Sequence, residues 1–191
     1  MQQVLAERIF PRRGVLVDVS LIILGGLFVA AMAQLSIPLQ PVPVTGQTFA
    51  VLLVGMVLGS RRGALALAAY LGEGLAGLPV FAEAKFGLAT VLGPTGGYLV
   101  GFIAAAWLVG LLAERGFDRS LLKTVAAMIV GNAVIYAFGL GWLSSFPFVS
   151  GLLGEAGLLT LGMIPFLVGD ALKAILAALL LPSAWKLVGR S

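Results

Sequence analysis

Apolar residues in this chain run in long unbroken stretches separated by short clusters of proline, glycine and charge. Six such stretches stand out, at 15–35, 47–58, 64–78, 96–112, 121–143 and 158–181. None alternates apolar with polar residues, as the strands of a membrane barrel must. The spacing therefore predicts helices. A hydrocarbon core of ~30 Å takes about 20 helical residues, a length most of the six runs approach. The breaks agree with this division. Pro38, Pro41 and Pro43 end the first run in a stiff extended loop, because proline lacks the N–H and restricts its predecessor. Ser60-Arg61-Arg62-Gly63 separates the second run from the third, Gly77 to Pro94 is a long irregular stretch, and Glu114 to Arg119 divides the fourth from the fifth. Ser144 to Gly157 divides the fifth from the sixth, and Pro182 is expected to close the last helix. The expectation is one all-α transmembrane domain over residues 1–191, a bundle of six helices with no internal repeat.

Composition moves that expectation from pattern to solvent. Of the 191 residues, 60% are hydrophobic, a further 26 are glycine and 10% are charged, and the mean hydropathy is +1.10. Soluble domains hold about 25% charged residues, and a chain this small cannot hide so much apolar surface from water. An intrinsically disordered chain is excluded on the same ground. The chain contains no His and no Cys. Imidazole bases, thiolate nucleophiles and the commonest metal ligands are thereby removed, which argues against an enzyme and against a metal or cofactor. No G-x-x-x-x-G-K-[ST] loop is present to cradle a nucleotide, so ATP-driven transport would need an ATPase on another chain.

Charge then sets the orientation. If six helices place both termini on one side, ten of the 12 basic residues share that side: Arg8, Arg12, Arg13, Arg61, Arg62, Arg115, Arg119, Lys123, Lys186 and Arg190. Lys85 alone falls opposite and Lys173 lies within a helix. Cytoplasmic loops carry the excess of Lys and Arg, so both termini are expected to be cytoplasmic. A cleaved signal peptide ending near Ala31-Met32-Ala33 is the competing reading of the first run, which is longer than the usual 7–15 residue core.

Ionisable residues inside such runs cost about 2.5–3.5 kcal/mol each on insertion scales and are functional candidates by default. Asp170 and Lys173 are three apart and share a helix face, about 12 Å and 16 Å along the last run from Gly162 at 1.5 Å per residue. Three readings stay open: a self-neutralising structural ion pair, a polar ligand site, or a proton relay with Glu73 as the other intramembrane carboxylate. Gln47 and Thr48 at the head of the second run, Tyr98 at the head of the fourth, and Asn132 with Tyr136 on one face of the fifth are further candidates for a shared polar cavity. Phe81, Glu83, Lys85 and Phe86 fall in a long external loop suited to cover an anion. Gly97, Gly101 and Ala105, and Gly26 with Ala30, form small-residue faces that serve internal packing or, on the first helix, a partner.

Taken together, Pro41-Val42-Pro43-Val44-Thr45 with Gln47-Thr48, Gly77-Leu78-Pro79-Val80-Phe81-Ala82, Leu92-Gly93-Pro94-Thr95-Gly96-Gly97-Tyr98, Gly131-Asn132 with Tyr136, and Pro165-Phe166 with Gly169-Asp170 and Lys173 resemble the BioY family. These are the biotin-binding S components of energy-coupling factor (ECF) transporters. The resemblance runs from about residue 20 to 180. It implies a six-helix S-component fold in a bacterial cell (inner) membrane, capture of biotin from outside, and partners: a transmembrane coupling subunit and two ABC-type ATPases. A proton-coupled carrier acting alone is the alternative. By position it places Asp170 and Lys173 on the family's G-D-x-x-K motif, Tyr98 on G-P-T-G-G-Y, and Lys85 in the external lid. Asp170 would then accept a ureido N–H and Lys85 meet the ligand carboxylate, with Phe81, Tyr98, Gln47, Asn132 and Tyr136 around them. Two departures stand out: the family often has a more glycine-rich lid than Glu83-Ala84-Lys85-Phe86, and its first-helix A-x-x-x-A docking motif reads here as Gly26-x-x-x-Ala30.

Overall fold

The computed structural model describes residues 2–11 and 14–189, without the side chains at 148 and 150–156. Arg12, Arg13 and Arg190 of the charge count lie outside the described residues. A short helix α1 (Leu5–Ile9) precedes α2 (Val15–Ala33), and a two-residue antiparallel pair, β1 (Ser36–Ile37) with β2 (Val44–Thr45), closes the proline-rich loop. Then come α3 (Gln47–Leu58), α4 (Ser60–Leu75), a 3-10 turn (Ala82–Ala84), α5 (Gly87–Leu92), α6 (Gly96–Ala113), a second 3-10 turn (Phe117–Arg119), α7 (Leu121–Leu143), α8 (Pro147–Gly162) and α9 (Ile164–Val188). Among the described residues four helices, α2, α6, α7 and α9, are long and apolar enough to cross a membrane, and α3 is a shorter apolar helix of 12 residues. This is a multi-pass membrane architecture.

The last predicted run is where structure and expectation part. Residues 144–157 were expected to divide two helices, with one helix from 158 to 181. Instead α8 begins at Pro147, and a break at Met163 separates it from α9, which continues through Pro182 to Val188. Each start has a proline in the first helical turn, where its fixed φ fits and its missing N–H is not needed. The apolar run around 158–164 hides that boundary, because both sides of it face apolar surroundings. Pro182 is tolerated inside α9 because one lost backbone bond can be made up by neighbours within a bundle.

Helix α6 is the axis of the bundle and packs against α3, α4 and α7. Its glycines make that possible. A Cβ on Gly97 would lie 2.2 Å from the Trp142 Cβ, and one on Gly101 would lie 2.9 Å from the Phe138 Cβ. Across the α3–α6 seam, a Cβ on Gly55 would lie 2.5 Å from the Ala106 carbonyl oxygen. The Gly97–Gly101–Ala105 face is thus an internal seam. The Gly26–Ala30 face, expected to receive a partner, is likewise turned inward. Gly26 is buried, and a Cβ there would sit 3.3 Å from the Ala66 carbonyl oxygen of α4. The residues α2 turns outward are large: Leu16, Ile23, Leu24 and Leu27.

One end of the bundle, the base, is tied by polar contacts. Arg62 pairs with Asp18 at 2.8 Å and with Glu7 at 3.5 Å. Glu114 Oε1 accepts from the Ser60 backbone N–H at 2.8 Å and its hydroxyl at 2.7 Å, capping the otherwise unpaired start of α4. Asp118 is fully buried and accepts the Trp185 indole N–H at 2.6 Å, while Arg119 lies 4.3 Å over the Trp185 ring. Burial pushes the Asp118 carboxyl up from its ordinary value, against the smaller opposing effects of the Trp185 and backbone N–H groups and the Arg119 charge. Raised in the fold, this carboxyl favours folding below its unfolded value of about 3.9, and the contribution is lost as pH rises through the raised value. Thermal melts in detergent should therefore show part of the wild-type stability falling from about pH 4 upward. Asp118→Asn, which keeps an acceptor for Trp185 but cannot ionise, should lack that part of the slope.

Candidate functional site

At the opposite end, the mouth, a partly open cavity lies between helix ends and loops. Val42, Pro43 and Thr45 precede it in the proline-rich loop, and Gln47 and Thr48 enter from the head of α3. Tyr98, Leu99 and Phe102 of α6, Ile135 and Tyr136 of α7, and Phe166 and Lys173 of α9 form its walls. Phe81, Ala82 and Lys85 form its roof. The site is assembled by helix heads because α3 and α6 both start at the mouth, directly after glycine- or proline-containing loops.

The cavity's inner wall holds a four-residue polar cluster. Lys173 Nζ lies 3.2 Å from Asp170 Oδ1 and donates to Thr48 Oγ1 at 2.8 Å. The Thr48 hydroxyl in turn donates to Asp170 Oδ1 at 3.1 Å, and the Tyr136 hydroxyl donates to Asp170 Oδ2. Asp170 is 5% exposed. It reaches the cavity through Thr48, Tyr136 and Lys173, and itself lines a shallower groove between α7 and α9. Lys173 has three donors and two acceptors in the cluster, so the ammonium can meet one further acceptor. The ion pair and the polar site are one object: charge is balanced internally, the Thr48 and Tyr136 O–H donors are spent on Asp170, and one ammonium N–H is left over.

A second polar chain runs from wall to roof. The Gln47 Nε2 donates to the Tyr70 hydroxyl at 2.6 Å, and that hydroxyl donates to the Val80 carbonyl at 3.1 Å. The Thr45 hydroxyl donates to Gln47 Oε1 at 3.0 Å and fixes the amide's orientation. In the roof, Phe81 is 1% exposed, and its ring sits edge-on to Tyr70 with centroids 5.6 Å apart. Lys85 Nζ pairs with Glu83 at 2.6 Å, so the base expected to meet an anion already has one from its own chain.

The structure thus brings together Asp170, Lys173, Tyr136 and Gln47, with Phe81, Tyr98 and Lys85 lining the same space. It does not bring in Asn132, which lines the α7–α9 groove on the other side of Asp170, its Oδ1 buried without a partner. Tyr98 presents its ring only, because its hydroxyl donates to the Gly162 carbonyl at 2.7 Å at the end of α8. Glu73 lines neither space. Tyr70 and Gln34 were not anticipated. A hydroxyl-bearing ring in an otherwise small and apolar helix was the available signal for Tyr70, since a buried tyrosine O–H needs a partner.

Fold and site together define a multi-pass membrane protein with a largely apolar cavity at one end, polar at its floor and roof. The family model described as "BioY family" matches residues 5–190. "Biotin transporter BioY" of Thermotoga maritima is 42% identical over 162 residues, covering 83% of this chain and 92% of that one. "Biotin transporter BioY" of Rhizobium etli is 40% identical over 172 residues, covering 83% and 89%. The 2.1 Å crystal structure of the S-component for biotin from an ECF-type ABC transporter superposes with a TM-score of 0.76 at 26% identity, covering 90% of this chain and 92% of that one. The chain belongs to the BioY family. Its relatives bear the names of transporters, not of enzymes.

The Tyr98–Gly162 bond is checked without any ligand. Tyr98→Phe should leave a buried carbonyl unpaired and lower unfolding stability by about 1–3 kcal/mol, read as a lower melting temperature in detergent.

Proposed function

We propose that this chain captures biotin from outside the cell and is the substrate-binding subunit of a biotin uptake system. The observation that carries the reading is the pairing of a hydrogen-bonding polar floor with a lysine at the roof across an apolar cavity. Biotin has a ureido ring with one carbonyl and two N–H groups, an apolar bicycle and tail, and a terminal carboxylate. Lys173, with one N–H left over, suits the ureido carbonyl. The N–H groups suit Asp170 once a hydroxyl yields its place. The apolar rings of Phe81, Tyr98, Phe102 and Phe166 suit the bicycle and tail. Lys85 at the roof suits the carboxylate, in exchange for Glu83.

The names of the relatives and of the structural neighbour support biotin as ligand. The neighbour's description as an S-component supports a partnership with an ECF module, in which a transmembrane coupling subunit and two ABC-type ATPases supply the energy. Six membrane crossings with both termini cytoplasmic fit the placement of Arg8, Arg61, Arg62, Arg115, Arg119, Lys123 and Lys186 in segments at the base and Lys85 at the mouth. The same reading puts the chain in the bacterial cell membrane.

Equilibrium binding of radiolabelled biotin to the detergent-purified chain tests the ligand. Saturable binding is expected, and Asp170→Asn should weaken it by about tenfold or more, since one buried charged partner is lost. No saturable binding by the parent chain, or an unchanged Asp170→Asn variant, would remove the reading. The roof has its own test. Lys85→Met should weaken binding of biotin but not of its uncharged amide, and Glu83→Gln should strengthen binding of biotin by freeing Lys85. Equal effects on both ligands would place the carboxylate elsewhere.

A further inference from the structure

The roof of the cavity is held in a conformation its own backbone disfavours. Glu83 and Ala84 are consecutive non-glycine residues with φ of 61° and 54°, the left-handed region that side chains resist. Something outside the loop must hold it there. Two side chains, one on α4 and one just beyond α2, do so by gripping neighbouring carbonyls. From inside, the Tyr70 hydroxyl of α4 donates to the Val80 carbonyl at 3.1 Å. From the outer side, the Gln34 Nε2 just beyond α2 donates to the Phe81 carbonyl at 3.1 Å and lies 3.5 Å from that of Val80. Gln34 Oε1 also accepts the Ala84 N–H at 3.1 Å, at one of the left-handed residues. Between the two grips the Phe81 ring fills the hollow over Gly74, where a Cβ would lie 2.0 Å from the ring.

We propose that Tyr70 and Gln34 form a two-sided clasp that keeps the roof shut over the cavity and sets the rate at which its contents enter and leave. They are positioning residues and neither lines the cavity. Tyr70 adds a connection that a simple latch lacks, because it also receives the Gln47 amide at 2.6 Å. Gln47 does line the cavity. A ligand that engages the Gln47 amide therefore bears on the hydroxyl that grips Val80, so that occupancy and closure are linked through one buried side chain. Only that ligand arm rests on the biotin reading; the clasp itself is a property of the unliganded chain.

The absence of cysteine from the sequence makes the test direct. Ala82→Cys places a single thiol under the roof at a buried position, and Ala127→Cys places a control thiol in the packed core of α7. Maleimide reaction of the full chain in detergent, without ligand, reads roof opening at 82 and global loosening at 127. Adding Tyr70→Phe or Gln34→Ala should speed reaction at 82 by about fivefold or more, with 127 unchanged, as expected for loss of a hydrogen bond that counts only when the roof is shut. Tyr70→Phe keeps the ring on Phe81, and Gln34→Ala removes an exposed side chain, so both should fold. Unchanged reaction at 82 in both variants overturns the clasp, and so does a rise at 127 that matches the rise at 82. In the second arm, release of prebound radiolabelled biotin should quicken by a similar factor. Faster labelling at 82 with no biotin held by the parent chain leaves the clasp standing and removes the biotin reading instead.

Discussion

A carboxylate placed within an apolar bundle has to be neutralised where it stands, and the mouth of this protein is built around that requirement. Asp170 meets Lys173 one helical turn away and receives hydroxyls from Thr48 of α3 and Tyr136 of α7. Removing one member of a buried pair leaves the other uncompensated, which costs far more than the pair contributes when intact. The cluster therefore fixes α3, α7 and α9 in mutual register at the level where they must part to leave a cavity.

The two walls of the cavity differ in kind. The lower walls stand on glycine seams along α6, where a Cβ on Gly97, Gly101 or Gly110 would clash with a neighbouring helix and close packing resists movement. The roof rests on a few hydrogen bonds, one inserted ring and two left-handed residues. A rigid floor with a lightly held cover is the arrangement that allows a ligand to be enclosed without unpacking the bundle. Within that cover Glu83 and Ala84 carry backbone strain, and Glu83 uses its place to hold Lys85.

Much of this was readable in the sequence, and what escaped has physical causes. The apolar runs located α2, α3, α4, α6 and α7 to within a few residues, since membrane helices are apolar on every face and end at proline, glycine or charge. The same uniformity concealed the α8–α9 break, where Met163 interrupts the backbone but not the hydropathy. The three-residue spacing of Asp170 and Lys173 was enough to place them together, because it depends only on helix geometry. Asn132 and Tyr136 share a helix face and both line the groove against α9, yet only Tyr136 also reaches the cavity. Spacing along one helix cannot say where a second helix divides its surface. For the same reason the spacing of Gly26 and Ala30 could not show that α4 packs against Gly26.

The internal balance of charge also constrains how the proposed ligand lies. Asp170 and Lys173 sum to zero, so the floor of the cavity has hydrogen-bonding capacity but no net charge to offer. An ionised group seated there would be desolvated with no counter-ion left for it. The end of a ligand that enters the floor must then be neutral and polar, able to trade hydrogen bonds with Thr48, Tyr136 and Lys173 one for one. A carboxylate belongs at the roof, where Lys85 is half exposed and already holds a carboxylate that can be exchanged for another. The charge of the ligand, rather than its shape, would then decide which end points down.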